Sequence, residues 1–232
     1  MNYKLNPSSF SFLYEGCKRC FYLQVVHGVS RPSRPLPGVF AKIAALLKNH
    51  YDGKRTEELH PDLPTGVVRY GEKKVKSKAI QLPGYQTTCY ISGRFDIVVQ
   101  FDDGTYGVID FKTGSPKDEY NELYSRQLHA YAYALENPAL GALGLSPITK
   151  LGLLYFHPQR TKQENLEQLL YESDIYWVEA ERNDEKFLSF IDEVLAILNS
   201  PTPPDPSPDC EWCNYIEKLK RLNGLKGEGL QF

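Results

Sequence analysis

The chain has 232 residues, enough for one ample hydrophobic core or two small ones, and its 41% hydrophobic and 24% charged content excludes global disorder. A net charge of -2 argues against indiscriminate nucleic-acid binding. No stretch approaches the roughly 18 uninterrupted apolar residues of a membrane helix, and the first nine residues hold no apolar signal core, so a soluble cytoplasmic protein is expected.

In chain order, Asn6-Pro7 predicts a helix start, with asparagine as N-cap and proline in the first helical position. Phe10, Phe12, Leu13 and Tyr14 can dock that segment on a core, and Cys17-Lys18-Arg19-Cys20 follows. Residues 28–37, rich in Pro, Ser and Arg, read as a connector. Phe40, Ile43, Ala44 and Leu47 then recur at helical spacing, predicting an amphipathic helix over about 36–49. Residues 51–66, with Pro61 and Pro64, read as loop. Residues 69–78 (RYGEKKVKSK) carry five positive charges and one negative in a strand region running to residue 82. Such a stripe can track phosphates or serve as a solvated polar hairpin.

Residues 89–112 (CYISGRFDIVVQFDDGTYGVIDFK) predict two strands joined by a tight turn at Asp102, Asp103 and Gly104. Asp96 interrupts an apolar run. Asp110 and Lys112, two apart on a strand, share a face, and Phe111 takes the other. Pairing of the hairpin brings Asp96 toward them. Two carboxylates can hold Mg²⁺ or Mn²⁺ through oxygen, while the lysine orients water or stabilises a phosphorane-like charge, so the trio suits phosphodiester hydrolysis. An Asp-x-Lys pair alone also arises as a structural ion pair at a strand end.

Residues 113–118 read as a turn and 119–136 as a helix, on which Gln127 and Tyr131 share a face. Residues 141–147 break it. Strands are expected at 150–156 and 175–180, and an apolar stripe (Phe187, Phe190, Ile191, Val194, Leu195, Leu198) predicts a core-facing helix over 182–198. Residues 201–208 (PTPPDPSP) form a stiff linker. It delivers Cys210-Glu211-Trp212-Cys213, so that Cys17, Cys20, Cys210 and Cys213 make two C-x-x-C knuckles. Together these suit a tetrahedral sulfur site for zinc or an iron–sulfur cluster, and the cytosolic setting disfavours disulfides.

Gly93-Arg94-Phe95-Asp96, then Val108 to Gly114 (VIDFKTG), then Gln127-x-x-x-Tyr131 resembles the PD-(D/E)XK nuclease superfamily, in particular its RecB-type exonuclease branch with the CRISPR adaptation nucleases. The resemblance implies an α/β, restriction-endonuclease-like core: a mixed central sheet flanked by helices, its termini joined by the four cysteines. It implies one domain, with a helical part at about 1–66, a catalytic core at about 67–200 and a Cys-containing segment at 201–232. It further implies that Asp96 and Asp110 bind Mg²⁺ or Mn²⁺, that Lys112 is catalytic, and that Gln127 and Tyr131 support substrate binding. DNA, single-stranded or with free ends, is the implied substrate, in repair, recombination or defence, and proteins of a repair or CRISPR complex are the implied partners. The branch commonly carries a 4Fe-4S cluster on one N-terminal and three C-terminal cysteines. Here Cys17, Cys210 and Cys213 match, and Cys20 stands in for the missing fourth, with zinc as the alternative. The branch also places a metal-binding histidine on the helix after Gly38, and none is present there. His27, His50 and His60 are the substitutes on offer, though nothing in their spacing marks a ligand. A nucleic-acid-binding or scaffold protein that keeps the fold without the reaction is the competing expectation.

Overall fold

The structure is a computed structural model describing residues 1–32 and 37–222; the middle of the predicted connector, the expected helix start near residue 36 and the last ten residues of the C-terminal segment lie outside the described residues. The chain opens with β1 (Asn2–Leu5), a 3-10 turn (Pro7–Ser9), α1 (Phe12–Gly16) and α2 (Lys18–His27). Asn6 does act as a cap, its side chain accepting the Ser8 N–H, but the turn it starts is 3-10 and only three residues long. Next come α3 (Gly38–Tyr51), β2 (Gly66–Gly71), β3 (Lys74–Lys76), β4 (Thr88–Arg94), β5 (Ile97–Phe101) and β6 (Tyr106–Thr113). The chain continues through α4 (Asp118–Glu136), β7 (Ile148–Asn165), β8 (Gln168–Glu179), α5 (Asp184–Leu198) and α6 (Glu211–Leu222).

The strands form two mixed sheets, one ordered β1-β4-β3 and the other β2-β5-β6-β7-β8. β6 and β7 run parallel, a pairing that requires a long crossover, and α4 supplies it. The larger sheet is buried on both faces over β5, β6 and the first half of β7. Val98, Val108 and Leu153 face the core made with α2, α4 and α5, where Phe21, Leu128, Tyr131, Leu135, Ile191 and Leu195 pack. Ile97, Val99, Ile109, Phe111 and Phe156 face a second core closed by Tyr51, Leu59 and Leu63. Each fully buried Leu or Ile contributes on the order of 2 kcal/mol of apolar transfer. This restriction-endonuclease-like arrangement matches the expected fold class.

The strand predictions need correction in two places. The expected first strand of the 89–112 hairpin is broken at Phe95 and Asp96: β4 pairs with β1 and β3, whereas β5 pairs with β6 and β2. The turn itself is in place, with the Gly104 N–H donating to Phe101 O and Gly104 at φ +87. The strands expected at 150–156 and 175–180 are much longer. β7 and β8 continue as a paired, exposed two-stranded arm through residues 157–174, with Leu166, Leu169, Leu170 and Tyr171 exposed on it.

Helices α4 and α5 meet at a polar clasp. Asn183 caps α5 by accepting the Lys186 N–H, and its own N–H donates to Nε2 of the buried His129 at 2.8 Å. Arg182, expected inside the helix, instead lies before it and forks onto Glu136 and Asp184.

Candidate active site

Asp110 and Lys112 leave β6 on the side facing α4, and Phe111 turns to the opposite core, as strand alternation requires. In the antiparallel register Ile97 opposes Ile109, so Asp96, one residue earlier, comes opposite Asp110. The Asp96 carboxylate is fixed by a main-chain donor: the Phe111 N–H donates to Oδ2 at 2.9 Å. Asp110, only 5% exposed, meets Lys112 Nζ at 2.5 Å and accepts a hydrogen bond from Gln127 Nε2 at 3.1 Å. The Lys112 ammonium also stands 3.8 Å from the centre of the Tyr124 ring, a cation–π contact that limits where it can swing.

Burial pushes the Asp110 carboxyl up to about 6; Lys112 opposes that rise and the nearby Asp96 charge adds to it. The same burial raises the phenols of Tyr124 and Tyr131. Tyr131 is buried, and its hydroxyl donates to the Arg94 carbonyl at 2.7 Å while its ring packs edge-on to Phe95. Gly93 permits this approach: a Cβ there would lie 2.8 Å from Pro7 Cδ and 3.2 Å from Tyr131 Cε1. Gln127 and Tyr131 thus hold, from one helix face, the two chain segments that carry Asp110 and Asp96.

Two further residues enter the site that the sequence reading missed. Lys48, near the end of α3, places Nζ 2.7 Å from Asp96 Oδ1 and 2.6 Å from Glu72 Oε1. Burial works against its charge, but the Asp96 and Glu72 carboxylates raise its pKa on balance. Glu72 sits in the connection between β2 and β3 at φ +44, a left-handed conformation rare for a non-glycine residue, and its N–H donates to the Asp96 carbonyl at 2.9 Å. Its sequence signal was its being the one acid in the basic run 69–78. Lys48 had none beyond its place beside the apolar face of α3. Of the candidate histidines, His27 packs against Tyr22, His50 against Tyr51 and Lys54, and His60 lies beside Asp62; among the described residues none of these interactions reaches Asp96 or Asp110.

The PD-(D/E)XK nuclease superfamily profile matches residues 48–217 of this sequence. The chain belongs to the PD-(D/E)XK nuclease superfamily. The matched span takes in Lys48, Glu72, Asp96, Asp110, Lys112, Gln127 and Tyr131 and implies nuclease-type, nucleic-acid-directed chemistry for this superfamily member. No curated protein matches the sequence. Among solved structures, that of a protein named SSO0001 aligns over 85% of this chain and 78% of its own, at 16% identity and a TM-score of 0.43.

In this PD-(D/E)XK protein the Asp96 and Asp110 carboxylates, opposed across β5 and β6, are the hard oxygen donors that Mg²⁺ or Mn²⁺ takes, so this pair fits a divalent cation by donor chemistry. Asp96 Oδ1, the oxygen not bonded to Phe111, is the one that Lys48 holds.

The cysteines form a second, separate cluster. Cys17 precedes α2, Cys20 lies in its first turn, Cys210 precedes α6 and Cys213 lies in its first turn, and the four sulfurs all fall within 4.8 Å of one another, close enough to share a metal. Main-chain donors at Ser207 and Cys20 bring the Cys17 thiol down to about 6 against the raising effect of burial. No helix among the described residues is long and apolar enough to cross a membrane.

Proposed function

We propose that the chain is a metal-dependent deoxyribonuclease that hydrolyses phosphodiester bonds at DNA ends or in single strands, as the RecB-type branch does. The observation that carries this reading is the meeting of Asp110, Lys112 and Asp96 from paired strands beside Gln127. Asp96 and Asp110 would hold Mg²⁺ or Mn²⁺, which supplies Lewis-acid stabilisation of phosphate charge and a more acidic bound water. Lys112, restrained between Asp110 and the Tyr124 ring, orients the attacking water and offsets negative charge as the bond to phosphorus forms. Gln127 keeps the Asp110 carboxylate in place, and Tyr131 pins the Arg94 carbonyl next to Asp96. Substrate contacts by Gln127 and Tyr131 belong to the same proposal. The exposed Lys74, Lys76 and Lys78 offer charge for the phosphate backbone.

One observation favours the alternative of a nucleic-acid-binding relative without turnover. Lys48 already neutralises the Asp96 oxygen that a metal needs. End-labelled single- and double-stranded DNA, incubated with Mn²⁺, Mg²⁺ or EDTA, separates the two. The nuclease reading expects metal-dependent cleavage that is lost in Asp110→Ala and in Lys112→Ala with the fold intact by circular dichroism. DNA binding that ignores the metal, with no product, would transfer the assignment to the binding relative.

A further inference from the structure

Two C-x-x-C knuckles from opposite ends of the chain each open a helix, and the manner of their meeting constrains what they hold. Cys20 Sγ stands 3.7 Å from Cys210 Sγ and 3.6 Å from Cys213 Sγ, and Cys17 Sγ stands 3.9 Å from Cys213 Sγ. A tetrahedral ion with metal–sulfur bonds of about 2.3 Å has sulfur–sulfur edges of about 3.8 Å. A four-iron cluster binds each thiolate to a different iron at the corners of a cube, which spreads the cysteine sulfurs to roughly 6 Å or more. The widest separation in this cage is below 4.8 Å, too small to enclose such a cluster.

We propose that Cys17, Cys20, Cys210 and Cys213 form a closed structural zinc site, in place of the iron–sulfur cluster that the RecB-type resemblance implies. The chemistry of the surroundings agrees. Four thiolates on a divalent ion carry a net charge of minus two. The Arg31 guanidinium lies beside them, Nη2 donating to Cys210 Sγ at 3.4 Å, and balances part of that charge inside a cage whose first three members are buried. All four ligands come from the protein, leaving no position for substrate, as in structural rather than catalytic zinc. The clasp joins positions 190 or more residues apart, closing a loop that spans nearly the whole chain.

The site shares no residue with the Asp96–Asp110–Lys112 centre, so its test is independent of the nuclease reading. Full-length protein would be expressed in iron-supplemented medium, purified anaerobically and analysed for metal, acid-labile sulfide and visible absorption. One zinc ion per chain is expected, with no sulfide and no brown charge-transfer band. Titration with a mercurial reagent should release that zinc as four thiols react, and Co²⁺ exchanged into the protein should give the intense visible bands of tetrahedral cobalt thiolate. Removing zinc with a strong chelator should lower the thermal midpoint, and adding zinc back should restore it. Near-stoichiometric iron and sulfide would overturn the proposal, as would metal-free protein whose four thiols react freely. Arg31→Gln, which leaves all ligands intact, should still bind zinc but lose it several-fold faster to a competing chelator; an unchanged release rate would remove Arg31 from the account.

Discussion

Replacing Asp110 by asparagine should stabilise the protein and, under the proposed nuclease function, abolish cleavage. Asp110 is almost fully buried, and burial raises its carboxyl from the ordinary 3.8 to about 6, a net rise that already includes the opposing attraction of Lys112. A carboxyl that binds its proton more tightly folded than unfolded makes stability fall as pH rises, here between about 4 and about 6; above that window the loss is complete. The rise corresponds to about 3 kcal/mol, so at pH 7 in EDTA Asp110→Asn should exceed the wild type by about 2–3 kcal/mol, or several degrees in midpoint for a chain of this length. Near pH 4 the two should agree. Urea unfolding from pH 4 to pH 8, with the difference taken at each pH, isolates the effect. The difference also cancels His129, whose burial lowers its pKa and gives a slope of the opposite sign, with stability lost as pH falls below its ordinary 6.5. Equal stability of the two proteins at pH 7, or a difference without pH dependence, would refute the assignment of Asp110 as a strained buried carboxylate.

Lys48→Ala removes the ammonium that holds Asp96 Oδ1 and Glu72 Oε1, and should raise the affinity for Mn²⁺ about tenfold by calorimetry, the equivalent of about 1.4 kcal/mol of lost competition. Weaker Mn²⁺ binding in that variant would mean that Lys48 organises the carboxylates rather than competing for them. Glu136→Ala leaves Arg182 with one carboxylate in place of two and deprives the Ile148 N–H of its 2.7 Å acceptor, so denaturant unfolding should show a loss of about 2 kcal/mol. Replacing residues 160–172 by Asn-Gly shortens an exposed arm that carries no core. Stability should stay within about 1 kcal/mol of wild type, and a larger loss would show that the arm packs on something.

Helices α3, α4 and α5 and strand β6 were legible because their signals are local. The stripe from Phe187 to Leu198 and the i, i+4 pair Gln127 and Tyr131 need only helical periodicity to be placed, and Asp110, Phe111 and Lys112 need only strand alternation. Residues 157–174 carried no such signal, since an exposed two-stranded arm is held by backbone pairing that side-chain patterns do not encode. Lys48 and Glu72 were invisible for another reason: they approach Asp96 only after α3 and the β2–β3 connection dock, from sequence separations of 48 and 24 residues.

The break before β5 had a trace in the sequence, and the site depends on it. Along β4 the side chains alternate between buried and half-buried, while Ile97, Val98 and Val99 are buried without interruption, because β5 lies between the two cores and β4 does not. A change from alternation to an unbroken apolar run marks a strand leaving a one-sided sheet for a two-sided one. Asp96 falls on that boundary. Its carbonyl accepts the Glu72 N–H and its carboxylate the Phe111 N–H, and the Arg94 carbonyl before it is held by Tyr131. A single unbroken strand would commit the Asp96 main chain to a ladder on both sides. The break frees it to be positioned by the β2–β3 connection, β6 and α4 together, and so to stand opposite Asp110 with one carboxylate oxygen held by the Phe111 N–H and the other by the Lys48 ammonium.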